Sequence, residues 1–268
     1  MKAQDLLKEK YDLLPTPIPS LNEILGGGIP SRIVTEIASA PGCGKTTLSL
    51  QILAQAQKLG KPVLFADAER AHGFVPFASK VGVDCESLEY FKEPYAELLL
   101  QRIVDWAVLN KNAVIVVDSV GALHGREEAE KDMEGRSIGI QSRMIAKFCR
   151  TLVPIIDDRN HTLILLNHIY TDPTTTAIKS SGGAKLAYHT GLSIWLANKY
   201  GMAPKRSADG TKTIKFIEAE IRTKAKYEGA FEGRKAVLEF IPKQGFVGEF
   251  VAAPAAKKRG RPKKHALV

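Results

Sequence analysis

Long apolar runs are missing from this chain. No stretch approaches the roughly 20 consecutive apolar residues of a membrane-spanning helix. The opening residues Met1-Lys2-Ala3-Gln4-Asp5 lack the apolar centre of a secretory signal, so a cytoplasmic protein with no membrane partner is expected. Cysteine is scarce: Cys43, Cys85 and Cys149 have neither pair spacing nor metal-ligand spacing, and reduced thiols are expected. No internal repeat is evident. Acid is absent from the last fourteen residues, which carry Lys257, Lys258, Arg259, Arg261, Lys263 and Lys264. Without those six cations the formal net charge falls from +9 to +3, so most of the basic excess is a tail. A basic balance suits a polyanionic partner without naming one.

The chain has enough for one large domain with appendages: 268 residues, 44% of them hydrophobic. They divide into a short leading segment, 1–14, a core, 15–250, and a basic tail, 251–268. Residues 3–12 read as a short polar helix, and the leading segment as an arm that packs on a neighbouring subunit or a frayed end. Pro15, Pro17, Pro19 and Pro30 interrupt the start of the core. Leu21 to Leu25 make one helical turn, ended by Gly26-Gly27-Gly28.

The centre of the chain is Ser39-Ala40-Pro41-Gly42-Cys43-Gly44-Lys45-Thr46-Thr47, between the apolar run Ile33–Ile37 and a helical stripe of Leu48, Ile52, Leu53, Ala56 and Leu59. A strand, a small-residue loop and a helix are the context of a phosphate-binding P-loop. Backbone N–H groups of the loop would wrap a triphosphate at the helix N-terminus. Lys45 would reach the β- and γ-phosphates, and the Thr46 hydroxyl would bind Mg²⁺. Ser39 stands where the pattern asks for its first glycine, which a negative φ would permit.

Two further apolar runs end in acid. Val63–Ala66 leads to Asp67-Ala68-Glu69, and Val114–Val117 leads to Asp118-Ser119. Acids at the C-terminal ends of strands in an open α/β sheet point into the ligand crevice. Glu69 is thus the candidate for orienting an attacking water, and Asp118 for the Mg²⁺ shell. A third run, Thr162–Leu166, ends in Asn167-His168, and His168 is placed to sense the γ-phosphate.

Helices are expected from Glu97 to Leu109 and after the segment 124–137, the latter with Met144, Phe148, Leu152 and Ile155 on its core face. Residues 124–137 are charged, lack an apolar stripe and read as a mobile loop. Residues 169–183 read as a second polar loop, whose hydroxyls, glycines and Lys179 suit a nucleic-acid backbone. Leu192–Leu196 is a strand, and Thr213–Arg222 and Ala236–Ile241 alternate as a hairpin. The order of elements predicts an α/β fold: a mainly parallel central sheet flanked by helices, with an antiparallel hairpin on its C-terminal side.

On these motifs residues 15–250 resemble the RecA-type recombinase core, a P-loop ATPase. Ala66–Ala71 resembles the family's motif carrying the catalytic glutamate, and Val114–Val120 its Walker B strand. Ile138–Met144 resembles the end of its first DNA-binding loop, and Ser180–Leu186 the end of its second. Asn167-His168, with Ile169-Tyr170, is more similar to the phage UvsX branch than to the bacterial Asn-Gln form.

The resemblance implies ATP and Mg²⁺ as cofactors and a DNA-dependent ATPase. Such a protein forms a filament on single-stranded DNA and drives pairing and strand exchange with duplex. It places Phe77 where an aromatic stacks on adenine. Arg222 and Lys224 fall near the cations that reach a neighbouring subunit's ATP, within a couple of residues. It assigns Arg136, Arg143, Lys179, Gly182 and Gly183 to the DNA-binding loops. A single-strand-binding or loader protein is a further implied partner.

No separate C-terminal DNA-binding domain is expected after the core, and the basic tail is expected to compensate. Lys258-Arg259-Gly260-Arg261-Pro262-Lys263-Lys264 resembles an AT-hook, with Arg259, Gly260, Arg261 and Pro262 entering a narrow minor groove. A solvated basic tail that binds phosphates generally is the alternative. Two other functions stay open at this point: a RecA-fold ring helicase, and a DNA-binding assembly factor that uses ATP only as a clamp.

Overall fold

The computed structural model describes residues 11–126, 140–172, 175–181, 183–207, 209–222 and 232–249. Strands β1 (Leu13–Leu14) and β2 (Ile29–Pro30) pair antiparallel and enclose helix α1 (Pro19–Ile24). Leu14, Leu21, Leu25 and Ile29 are all buried, and Leu13 packs half-buried against them, so this segment is anchored on the core of its own chain.

The P-loop unit comes next as β3 (Val34–Ser39) and α2 (Lys45–Lys58). It leads to β4 (Val63–Asp67), α3 (Phe74–Lys80), β5 (Leu88–Phe91), α4 (Ala96–Leu109) and β6 (Val114–Asp118). A 3₁₀ turn at Val120–Ala122 precedes α5 (Ile140–Asp158) and β7 (Thr162–Thr171). The last part holds β8 (Ile178–Ser180), α6 (Gly183–His189), β9 (Thr190–Asn198), β10 (Lys205–Arg206), β11 (Thr213–Ile221), β12 (Lys235–Ile241) and β13 (Gly245–Phe246).

The main sheet runs β13-β12-β11-β9-β3-β7-β6-β4-β5, parallel from β9 to β5 and antiparallel from β9 to β13. The expected fold is the observed one. In the parallel half every residue of β3, β4 and β6 is buried, because helices cover both faces. One face packs β3 and β7 through Ile37, Ile164 and Leu166 on Leu48, Ile52 and Leu53 of α2. The other packs Val34, Leu163 and Leu165 with Leu99 and Ile103 of α4 and Cys149, Leu152 and Ile156 of α5. In the antiparallel half only the first face is apolar: Ile217, Ala219 and Ile221 alternate with Glu218 and Glu220, and Ala236, Leu238 and Phe240 with Lys235 and Glu239.

Two expectations need correcting. Phe148 and Leu152 are buried on α5 as expected, together with Ile145, Cys149 and Ile156, whereas Met144 and Ile155 lie on the flank, half-buried. Residues 169–183 are not one loop. β7 continues to Thr171 and turns back as β8, with Ile169 opposite Ser180 and Thr171 opposite Ile178. Backbone pairing, not side-chain alternation, carries the chain there. Of the segment 124–137, all but 124–126 lies outside the described residues, as do nearly all of 3–12 and the whole of 250–268 with its basic tail.

Candidate nucleotide-binding site

The sheet register gathers the site. Ser39 at the end of β3 lies opposite His168 of β7, and Asp67 at the end of β4 lies opposite Asp118 of β6. Four neighbouring parallel strands therefore release polar residues at one edge, where the P-loop crosses. Ser39 itself is the last residue of β3, buried and extended, with its hydroxyl donating to Ala40 O at 2.8 Å. The missing glycine is not needed there. The left-handed backbone falls on Gly42 (φ 80°) and Gly44 (φ 86°). At Gly44 a Cβ would also stand 3.0 Å from the Phe246 ring.

Ala40, Pro41, Gly42 and Cys43 form the loop, with Cys43 buried against the core and its thiol pushed up by burial. Gly44 caps α2 and its carbonyl accepts the first helical bond, from the Leu48 N–H. The N–H groups of Lys45, Thr46 and Thr47 are thereby left without helical acceptors, as an anion site requires.

The Thr46 hydroxyl donates to Asp118 Oδ2 at 2.7 Å. Asp118 Oδ1 is buried with no hydrogen-bond partner. Burial raises the Asp118 carboxyl to about 6, with Glu69 and Asp67 adding to the rise and the Thr46 bond and Lys45 opposing it. Such an oxygen suits a divalent cation. Among the described residues no cluster of three acid, histidine or cysteine side chains could cage a metal alone. One threonine and one carboxylate fit Mg²⁺, which takes its remaining ligands from phosphates and water.

Glu69 is held over this pair. The backbone N–H groups of Ala68 and Glu69 both donate to Asp118 O, at 2.7 and 3.1 Å. The Glu69 side chain accepts from His168 Nε2 at 2.9 Å, and His168 Nδ1 lies 3.4 Å from Lys45 Nζ. An ammonium can only donate, so Nδ1 accepts and the imidazole proton sits on Nε2. Glu69 is held below the usual carboxylate range: burial pushes it up, and the Ser119 hydroxyl, the His168 bond and the Lys45 charge outweigh that. Lys45, His168 and Glu69 thus form one chain of contacts beside the Thr46–Asp118 pair.

Sequence reasoning passes over several residues. Tyr90 OH donates to Asp67 Oδ2 at 2.6 Å, and the Arg70 N–H to Asp67 Oδ1, also at 2.6 Å, fixing the turn that carries Glu69. Burial, then the Asp67 bond, pushes the Tyr90 phenol up. Gln141 Nε2 donates to the carbonyls of Gly121 and Leu123 at 3.0 and 2.9 Å, pinning the start of α5 to the 3₁₀ turn. Glu36 and Asn167, buried beneath the P-loop, share a 2.8 Å hydrogen bond. An acid inside the apolar run Ile33–Ile37 is the available signal for Glu36.

The other candidates lie further out. Phe77 is half-buried on α3, packed on the core. Arg222 comes just after β11, bonds Glu220 Oε2 at 2.7 Å and lies 4.9 Å over the Trp195 ring. Arg143 is exposed on α5, and Gly183 begins α6. Lys179 is exposed on β8, paired with Asp172 at 2.5 Å, which pushes its ammonium up. Exposed Tyr170 and Ile178 flank it. Lys224, Arg136, Gly182 and Arg259 to Pro262 lie outside the described residues. No helix among the described residues is long and apolar enough to cross a membrane.

Residues 1–226 match the family model for the RecA N-terminal domain. The chain is 34% identical over 231 residues to Protein RecA of Wolbachia sp. subsp. Brugia malayi, covering 82% of this chain and 63% of that one. It is 35% identical over 201 residues to Protein RecA of Campylobacter lari and of Thermus aquaticus, covering 72% of this chain and 57% of each. It thus spans less than two thirds of the length of these relatives.

Proposed function

The chain belongs to the RecA family, and on that premise we propose that it is a DNA-dependent ATPase that forms an ATP-bound filament on single-stranded DNA and promotes homologous pairing and strand exchange. The observation that carries this reading is the contact chain Lys45–His168–Glu69 beside the Thr46–Asp118 pair, at the N-terminus of the P-loop helix. A phosphate-binding loop alone would suit any nucleotide binder. A carboxylate coupled to a P-loop lysine through a strand-end histidine suits hydrolysis.

ATP would lie on the N–H groups of residues 42–47, with Lys45 on the β- and γ-phosphates and Phe77 against the base. Mg²⁺, held by Thr46 and Asp118, would neutralise phosphate charge. Glu69 accepts a hydrogen bond from the attacking water and orients it. His168 Nε2–H is the group that exchanges Glu69 for a γ-phosphate oxygen, so the nucleotide state reaches β7. From there the signal passes into the β7–β8 hairpin, where Tyr170, Ile178 and Lys179 face solvent for DNA.

Arg222 and Lys224 serve the phosphates of a neighbouring protomer, which couples hydrolysis to assembly. Arg136, Arg143, Gly182 and Gly183 complete the DNA-binding loops. The Asn167-His168 pair supports a place in the phage UvsX-like branch. The tail at 251–268 binds duplex, with Arg259 and Arg261 in an A·T-rich minor groove. A single-strand-binding or loader protein is the expected helper, and the cytoplasm the expected compartment.

The test is ATP hydrolysis with and without single-stranded DNA, with electron microscopy of the ATP-bound complex. DNA stimulation and helical filaments are expected. Closed rings, or hydrolysis indifferent to DNA, would overturn the reading.

A further inference from the structure

Glu36 is a carboxylate at the centre of the sheet, 5% exposed, and both its oxygens are engaged by neutral donors from flanking strands. Asn167 Nδ2 of β7 donates to Oε1 at 2.8 Å, and Ser193 Oγ of β9 donates to Oε2 at 2.7 Å. Each arm continues. Asn167 Nδ2 also donates to Ser181 O at 2.7 Å, just past β8, and Asn167 Oδ1 accepts the His168 N–H at 2.9 Å. Ser193 Oγ accepts the Trp195 indole N–H at 3.0 Å. The Trp195 ring lies under the Arg222 guanidinium, 4.9 Å away, and the Arg222 N–H donates to Ser193 O at 3.0 Å.

Glu36, Asn167, Ser193 and Trp195 project from one face of adjacent strands. Glu36 lies opposite Ser193 in the β3–β9 register, and Ala38, two residues on, lies opposite both Asn167 and Trp195. A buried carboxylate without a cation is costly, and a protein keeps one when its hydrogen bonds are fully met. Here they are met by the residue before His168 and by the residue that seats Trp195.

We infer that Glu36 is a positioning residue that couples the nucleotide-facing His168 and the β7–β8 hairpin to the pose of Arg222. This rests on the proposed role of Arg222 toward a neighbour's phosphates. The direction of the donors defines the coupling. If β7 shifts when His168 exchanges partners, Asn167 moves against Oε1. The carboxylate then turns Oε2 on Ser193, and the Trp195–Arg222 stack moves with it. Glu36→Gln breaks this, because an amide cannot accept from both Asn167 and Ser193. Ser193→Ala cuts only the Trp195 arm and leaves the Asn167 arm whole.

The probe is Trp195 emission in a Trp106→Phe background, which removes the other tryptophan. Adding Mg²⁺ and a non-hydrolysable ATP analogue is expected to shift that emission. Ser193→Ala and Glu36→Gln should each abolish the shift while changing analogue affinity less than about threefold. Each should lower DNA-stimulated turnover about tenfold or more, as for a displaced transition-state group. The double variant should be no worse than the poorer single one.

A shift that persists in Ser193→Ala, no shift in the parent protein, or losses that multiply would each overturn the inference. Should Glu36→Gln fail to fold, Ser193→Ala carries the test. Should the parent show no DNA-stimulated hydrolysis, the proposed function falls, and the Trp195 shift still decides whether the relay exists.

Discussion

The two halves of the sheet treat polar groups in opposite ways. On the parallel side both faces are covered, and apart from the self-satisfied Glu36 cluster polarity is concentrated at strand ends, where Asp118 Oδ1 is left without a partner. On the antiparallel side one face is open, and its charges answer one another. Glu218 pairs with Lys199 and, at 3.3 Å, with Lys235; Glu220 pairs with Lys235 and Arg222. Lys205 reaches Glu239 at 2.6 Å. The first half holds unspent electrostatic capacity where a charged ligand would sit. The second, Arg222 apart, has little to gain from a ligand. Gln51 joins them: from α2, the helix behind the P-loop, it donates to Phe246 O at 2.9 Å and accepts the Phe246 N–H at 2.8 Å.

The difference can be broken hardest at Glu69. Glu69→Gln keeps an acceptor for His168 but loses the charge that orients water. Turnover should fall about 10²–10⁴-fold with nucleotide affinity nearly unchanged, read by steady-state hydrolysis and fluorescent-nucleotide titration. Gln51→Leu comes next. It strips two buried backbone groups of Phe246 of their partners and should cost roughly 2–5 kcal/mol in denaturant unfolding.

The pH dependence sharpens the comparison further. Asp118 is raised in the folded protein to about 6, above the ordinary aspartate value of about 3.9, so the unliganded fold binds more protons than the unfolded chain between these limits. Its stability contribution is therefore present at low pH and lost as pH rises through about 6. A cation reverses this. Mg²⁺·ATP should raise the melting temperature more at pH 7.5 than at pH 5.5, and Mg²⁺ affinity should fall about tenfold per pH unit below 6. Glu218→Gln, on the opposite half, should change stability by less than about 1 kcal/mol and leave nucleotide affinity alone, as calorimetry and titration can check.

Much of the first half is legible in the chain. The P-loop, Asp118 and Glu69 each sit at the end of an apolar run, and a run of that kind is a covered strand with its polar residue at the rim. What is not legible comes from lateral neighbours. Asn167 and Ser193 lie 131 and 157 residues from Glu36 along the chain and meet it only because β7 and β9 both flank β3. The extension of β7 into the β8 hairpin is hidden because residues 169–180 carry no hydropathy alternation, the strands being paired by their backbone and by the Lys179–Asp172 ion pair. Periodicity places Phe148 and Leu152 of α5 correctly and misses by one position at both ends, where Ile145 and Ile156 are buried in place of Met144 and Ile155. Ser39 is a defect only against the sequence pattern: its conformation is extended, and the loop's turns fall on Gly42 and Gly44.

The central claim is that one protomer's strand ends and its neighbour's Arg222 make a single ATPase centre. Mixing Lys45→Ala protein with Arg222→Ala protein tests it most directly, because each should be nearly inactive alone on single-stranded DNA. In the mixture, a junction that takes Lys45 from one variant and Arg222 from the other is intact. DNA-stimulated hydrolysis should therefore reappear, rising with the fraction of mixed junctions. A mixture no more active than the sum of its parts would place Arg222 in its own protomer's site or outside the chemistry, and would contradict the shared centre.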